Sequence, residues 1–274
     1  MELVGSTAIV TGGSKGIGYA VAGALMAHGA DVVITSRHDK EVAEAAATLE
    51  AAHQGRRVLP VAADVTSAVD VERLYARAEA ELAPVAIAVN NAGIHSYETI
   101  AHLSEDDWNG VVDSHLKGTF LGTKAALAHM RASGTAGAII NLGAVDAIAT
   151  TRGTAHYAAA KAGIAKFTEV AALEAGRHGI RVNTVSPGVI VTPENAGTFS
   201  PDFEAAWHRS FAIDRMGKPA DVAKAVVFLA SDYAGWITGI NLLVDGGTHL
   251  RGLPDYADYL LGGNERGVSE GAGS

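Results

Sequence analysis

Short runs of apolar, largely β-branched residues alternate along this chain with longer stretches rich in Ala, Leu and Glu. The short runs read TAIVTG, DVVITS, RRVLPVAAD, VAIAVNNAG, GAIINLG, IRVNTVSPG and INLLVDGG. They are apolar throughout, the pattern of strands covered on both faces, and the helix-length stretches between them suit parallel crossovers. The pattern predicts an α/β fold with a doubly wound, parallel, seven-stranded sheet in a single domain. Ligands of such sheets bind beyond the carboxyl ends of the strands.

Two stretches escape this alternation. From Pro187 to Asp214 the chain carries Phe199, Phe203, Trp207 and Phe211 at helical spacing. This fits either a substrate lid within residues 189–215 or a surface helix burying an aromatic stripe. After Gly247 the periodicity is lost, so the domain is placed at 1–250 and residues 251–274 are read as a C-terminal extension. Its last ten or so residues end in Gly and Ser and are expected to be mobile.

Composition narrows the function. With 274 residues, 48% of them hydrophobic and 19% charged, the chain can bury a large core. Its net charge of −9 argues against nucleic-acid or anionic-membrane partners. Cysteines are absent, which removes disulfides, thiolate catalysis and Cys-containing zinc sites. None of the 11 histidines falls in an HExxH-like pair, so no metal is indicated. The opening MELVGSTAIVTGG lacks a basic segment followed by a long apolar one, and the chain is read as cytoplasmic.

The first strand runs into TGGSKGIG, residues 11 to 18, and then into a helix. Glycines at 12, 16 and 18 suit a tight turn against a pyrophosphate, with Ser14, Lys15 and Ile17 in the same loop. At the end of the second strand, where a ribose-binding acid is expected, stand Ser36 and Arg37. No carboxylate repels a 2′-phosphate there, and Arg37 and Lys15 can bind one, so the pattern favours NADP(H). Further on, Tyr157 and Lys161 in YAAAK share one helix face. A Tyr on an Ala-rich helix is more often core packing, and the order of the surrounding motifs is what overturns that reading.

That order resembles the short-chain dehydrogenase/reductase family over residues 5 to about 248. It rests on TGGSKGIG, Asp64 in AADV, NNAG at 90 to 93, YAAAK, SPG at 186 to 188 with Thr192, and SDYAGWITGINLLVDGG at 231 to 247. The resemblance implies strand order 3-2-1-4-5-6-7, with Asp64 and Val65 beside the adenine and Asn90, Asn91, Ala92 and Gly93 along the cofactor. It also implies that Pro187, Gly188, Ile190 and Thr192 hold the carboxamide end. Tyr157 would be the acid/base, and Lys161 its tuner and ribose anchor. The assembly implied is a homotetramer built on the helices that include Tyr157 and DDWNGVVDSHLKGTFLGTKAALAHM.

Two positions depart from the family's pattern. The active-site serine expected thirteen residues before the tyrosine is Ala144, and the asparagine expected in DSHLKGTF is His115, which can bridge a relay water. Three explanations of Ala144 compete. It is an engineered serine-to-alanine change, or Thr150, Thr151 or His156 donates instead, or the chain has left carbonyl chemistry. The function expected is an NADP(H)-dependent oxidoreductase acting on a ketone, or the matching secondary alcohol, of a small to medium molecule; the alternative is a weakened NADP(H)-binding or sensing protein. His95, Tyr97, Val145, Asp146, His156 and Trp207 are candidates for contacting substrate. Asp146 suits an amine or several hydroxyls, or is an exposed loop carboxylate.

Overall fold

The computed structural model describes residues 2–197 and 199–261. Along the chain run β1 (Thr7–Thr11), α1 (Gly16–Ala27), β2 (Asp31–Ser36), α2 (Asp39–Ala52), β3 (Val58–Ala62), α3 (Ala68–Glu81), β4 (Val85–Asn90) and α4 (Glu105–Val112). They are followed by α5 (Gly118–Ser133), β5 (Gly137–Leu142), α6 (Ala155–Ala175), β6 (Ile180–Pro187), α7 (Pro201–Ser210), α8 (Pro219–Ala230), β7 (Asn241–Val244) and α9 (Tyr256–Leu260). The strands fall inside the seven predicted runs and pair in parallel in the order β3-β2-β1-β4-β5-β6-β7.

The uninterrupted apolar runs follow from two cores on opposite faces of the sheet. Ala8, Val10, Val32, Ile34 and Ile140 face Val21 and Leu25 of α1, Val42 and Leu49 of α2, and Val222 and Val226 of α8. Their strand neighbours Ile9, Val33 and Ile139 face Leu74 and Tyr75 of α3, Ala126 and Met130 of α5, and Ala172 of α6. Successive side chains of one strand thus enter different cores, and a polar residue at either would be buried.

A polar brace crosses the second core. Asn90 Nδ2 donates to Thr123 Oγ1 at 3.1 Å and to Asn141 Oδ1 at 2.8 Å. Asn141 Nδ2 donates to Thr168 Oγ1 at 2.9 Å, and the Thr184 hydroxyl lies 2.8 Å from the same oxygen. This corrects the expectation that Asn90 lies along a cofactor: its amide is spent inside the fold, joining β4 to β5 and α5.

Ser200 opens α7, its side chain accepting from Phe203 N at 3.2 Å with Pro201 in the first turn. The aromatic stripe of α7, Phe203, Trp207 and Phe211, is buried against Leu253, Tyr256, Tyr259 and Leu260. Thr151 Oγ1 donates to Pro254 O at 2.8 Å and accepts from Tyr256 N at 2.9 Å. Arg152 pairs with Asp255 and Asp258. These contacts hold α9 over the loop before α6, so the chain just past Gly247 folds back onto the domain. The expected mobility of the last ten residues falls outside the described residues. No helix of the described residues is long and apolar enough to cross a membrane.

Candidate active site

The loops leaving the carboxyl ends of β1, β2, β3, β4, β5 and β6 open into one cleft of about 930 Å³. At its floor, Gly12 and Gly16 take left-handed backbone with φ of +64° and +54°. A Cβ on Gly18 would stand 2.1 Å from Gly12 O, so α1 meets the preceding turn only through glycine. Lys15 caps α1 without a side-chain hydrogen bond, leaving first-turn N–H groups uncapped where Gly16, Ile17 and Gly18 line the cleft. Asn91 Nδ2 donates to Thr11 O at 2.9 Å and Gly12 O at 3.2 Å. The Thr11 hydroxyl in turn accepts from Asn91 N at 3.0 Å and Ala92 N at 3.1 Å. Uncapped donors at a helix N-terminus and a glycine turn that a Cβ would fill suit a dinucleotide pyrophosphate.

At the outer end of the cleft lie Ser36, Arg37, Asp64 and Val65. The Thr66 N–H, 2.9 Å from Asp64 Oδ1, holds that carboxyl below the usual range despite partial burial, with the Thr66 hydroxyl and Arg37 assisting. The Ser36 hydroxyl is engaged by the backbone of His38. Glu41 in the first turn of α2 is an acid that sequence reading missed. Its carboxylate accepts from the Ser14 hydroxyl and pairs with Lys15 at 3.4 Å, and the Ser14 bond lowers its pKa. A ribose-binding acid is expected at the end of β2, whereas Glu41 reaches the phosphate loop from the following helix.

At the inner end, α6 presents Tyr157 and Lys161 to the cleft. Lys161 Nζ stands 5.3 Å from the Tyr157 ring centre and donates to Leu142 O at 2.7 Å. Burial pushes the Lys161 ammonium down to about 7, against the pull of Asp146. Burial, with the Asp146 carboxylate and Tyr97, raises the Tyr157 phenol well above its ordinary value, so it carries its proton.

His115 lies in a π-helical turn, Asp113–Lys117, that breaks the register between α4 and α5. Such turns re-aim single side chains. Its Nε2 is 2.7 Å from the Ile94 carbonyl, which only accepts, so Nε2 carries the proton and Nδ1 is left as an acceptor. Burial, then Lys161, pushes its imidazolium down to about 2, and the ring is neutral. A Cβ on Gly93 would fall 1.9 Å from His115 Cε1, so a glycine is needed where the imidazole crosses the loop after β4. His95 packs 4.9 Å from the Tyr157 ring and 5.7 Å from that of His115. It opens to the cleft and has no hydrogen-bond partner among the described residues. Partial desolvation, then Lys161, brings its pKa to about 4.

Every predicted cofactor-contacting position from Gly12 to Thr192, apart from Asn90, lines this cleft, as do Tyr157, Lys161, His115 and Ala144. Of the substrate candidates, His95, Tyr97, Val145 and Asp146 line it as well. His156 and Trp207 do not. His156 is fully buried behind the site, its Nε2 bonded to the Ser96 hydroxyl at 2.8 Å. Trp207 is fully buried between Phe203 and Phe211. Helical spacing marked its stripe correctly but not which side of α7 faces the cleft. Phe199 and Phe203 line it, with Tyr256 and Leu260 from the extension, a segment without periodicity to announce them. Among the described residues no group of three or more His, Asp or Glu could hold a metal ion.

The comparisons with known proteins agree with this geometry. Residues 12–249 match the sequence family described as enoyl-(acyl carrier protein) reductase. The chain is 41% identical over 251 residues to 3beta-hydroxysteroid dehydrogenase 1 of Eggerthella lenta, covering 91% of this chain and 95% of that protein. It is 36% identical over 251 residues to glucose 1-dehydrogenase 2 of Bacillus subtilis, covering 91% and 96%. The solved structure of a short-chain type dehydrogenase/reductase from Mycobacterium ulcerans superposes with a TM-score of 0.92 at 30% identity, covering 98% of this chain and all of that one. The chain belongs to the short-chain dehydrogenase/reductase family, whose members are oxidoreductases using nicotinamide cofactors.

Proposed function

We propose that this protein is an NADP(H)-dependent oxidoreductase that reduces a ketone of a small to medium organic molecule, or oxidises the matching secondary alcohol. The observation that carries this reading is Tyr157 held beside Lys161 at the inner end of a cleft whose floor is the glycine turn. NADPH supplies a hydride to the carbonyl carbon when bound. Tyr157 Oη gives its proton to the carbonyl oxygen as negative charge gathers there, leaving an alcohol and a phenolate. Lys161, fixed by Leu142 O, stabilises that phenolate and would hold the nicotinamide ribose. The acceptor Nδ1 of neutral His115 suits a water that returns a proton by way of Lys161. Ile190 and Thr192, with Pro187 and Gly188, would hold the carboxamide.

Ala144 offers no second donor to the carbonyl oxygen. Thr150 is exposed outside the cleft, Thr151 is committed to Pro254 and Tyr256, and His156 is sealed behind the site, so none of the three neighbours considered above reaches it. His95 stands in the cleft beside Tyr157 with an N–H not spent on another residue, so it is the neighbour to test as an auxiliary donor against a position that simply lacks one.

Preference for NADP(H) rests on Arg37 and the lack of an acid at the end of β2. Arg37→Ala should weaken NADP(H) binding about ten- to a hundredfold, the worth of a charged hydrogen bond, and leave NAD(H) binding nearly unchanged. Equal affinities of the unaltered protein for the two cofactors by titration would reject the preference. Glu41 opposes it, since its carboxylate occupies Ser14 and Lys15 beside the 2′-phosphate position. Glu41→Gln should therefore raise affinity for NADP(H) severalfold more than for NAD(H) in the same titration.

A cytoplasmic homotetramer is the setting proposed. Phe120 on α5 and Val170 and Leu173 on α6 stand exposed on the helices that the family resemblance assigns to subunit contact. The test of the whole reading is NADPH absorbance on a broad ketone panel. Consumption with at least one ketone is expected, and none with any would favour a protein that binds and senses NADP(H).

A further inference from the structure

The 3-10 turn Val145–Ala147 follows β5 and carries Asp146 two residues past Ala144. Asp146 lines the cleft yet is only 8% exposed, and its Oδ1 has no hydrogen-bond partner and no access to solvent. A carboxylate in that state is expensive to keep, because burial removes its hydration and nothing replaces it at that oxygen. Burial pushes the group up to about 6, held back by its own backbone N–H, by Lys161 and by Thr154, so at neutral pH it is chiefly ionised. The cleft around it is aromatic. Tyr97 meets Tyr256 edge-on at 5.6 Å, and Tyr256 meets Phe203 at 5.5 Å. Tyr97, Tyr157 and Tyr256 line the same cleft as Asp146.

We infer that Asp146 is the specificity residue of the substrate compartment, and that the substrate is a hydroxyketone whose hydroxyl, one or two carbons from the carbonyl, donates to Asp146 while Tyr157 protonates the carbonyl oxygen. This rests on the reductase reading above and narrows it to a substrate class; the product is a 1,2- or 1,3-diol. A neutral hydroxyl fits better than an ammonium because the charge of Lys161 already acts on the same carboxylate, and a second cation there would be repelled. The aromatic walls suit the C–H faces of a carbon chain or ring bearing such a hydroxyl.

The test compares NADPH-dependent kcat/KM on acetone, hydroxyacetone and aminoacetone, and on cyclohexanone and 2-hydroxycyclohexanone, in the unaltered protein, Asp146→Asn and Asp146→Ala. The ratio of hydroxyketone to parent ketone divides out any effect common to both. In the unaltered protein that ratio should exceed about tenfold, the worth of one hydrogen bond to a charged group, with aminoacetone below hydroxyacetone. It should approach unity in Asp146→Ala and fall in Asp146→Asn, mainly through the hydroxyketone's KM. Three results would each overturn the inference while leaving the reductase reading intact: no preference for the hydroxyketones, a preference that survives in Asp146→Ala, or aminoacetone as the best substrate. No turnover of any ketone by the unaltered protein would reject both. If Asp146→Ala does not fold, the unaltered protein and Asp146→Asn decide.

Discussion

Tyr157→Phe should lower turnover of any accepted ketone by about a hundredfold or more, the usual size of a general acid's contribution. The substitution removes one oxygen and keeps the ring, and the ring is what packs at 5.2 Å edge-on to His115 and at 4.9 Å to His95. The glycine turn, Arg37 and the loop after β6 are untouched, so NADP(H) affinity should hold. The drop belongs in kcat with KM little changed, since the proton moves only as charge develops on the carbonyl oxygen. Neither histidine is a ready replacement acid. Burial keeps His115 neutral with its one N–H given to Ile94 O, and His95 is brought down to about 4, so at neutral pH neither ring holds a surplus proton. Steady-state rates by NADPH absorbance decide it, and an undiminished kcat would pass the proton to another group.

How far this site was legible in the chain depended on what each signal encodes. Strand positions were legible because a doubly covered strand must be apolar at both parities, and Ile9 beside Val10 satisfies two cores at once, whereas the strand order came only with the family resemblance. The glycine turn and the Tyr157/Lys161 pair were legible because backbone approach and helical spacing are local facts of sequence. Pairings between distant segments were not. Asn90 belongs to the brace with Asn141 and Thr123, a choice settled by side-chain direction at the end of β4. Glu41 reaches Ser14 across 27 residues. Tyr256 and Leu260 enter the cleft only because Thr151 and Arg152 fasten α9. Trp207 shows the limit of periodicity: spacing placed it on the apolar stripe of α7, and the arrival of α9 decided that the stripe would be interior. His156 failed in the same way. It neighbours Tyr157 in sequence, and a one-residue step along a helix turns a side chain by about 100°, so it points behind the cleft.

Ala144→Ser should raise kcat by about a hundred- to a thousandfold, the value of one donor to a developing oxyanion. Ala144 ends β5's exit loop in extended backbone, with φ −161° and ψ 161°, and lines the cleft beside Val145 and Asp146. Serine adopts that backbone without strain, and one added oxygen enters the cleft rather than the packed interior. The gain should appear in kcat, because a second donor to the oxygen matters most when the oxygen carries charge, and NADP(H) affinity should change little. The same substitution measures what His95 does. If the position is simply missing its donor, the serine restores the full factor and His95→Phe costs the unaltered protein little. If His95 has taken over the contact, the serine gains little, because the oxygen already has two donors, and His95→Phe should cost a comparable factor while Ala144→Ser combined with His95→Phe recovers most of the rate. Kinetics of these three variants on one accepted ketone separate the two arrangements. A small gain from the serine together with a small loss from His95→Phe would mean that Tyr157 alone serves the oxyanion, and would exclude His95 as the auxiliary donor.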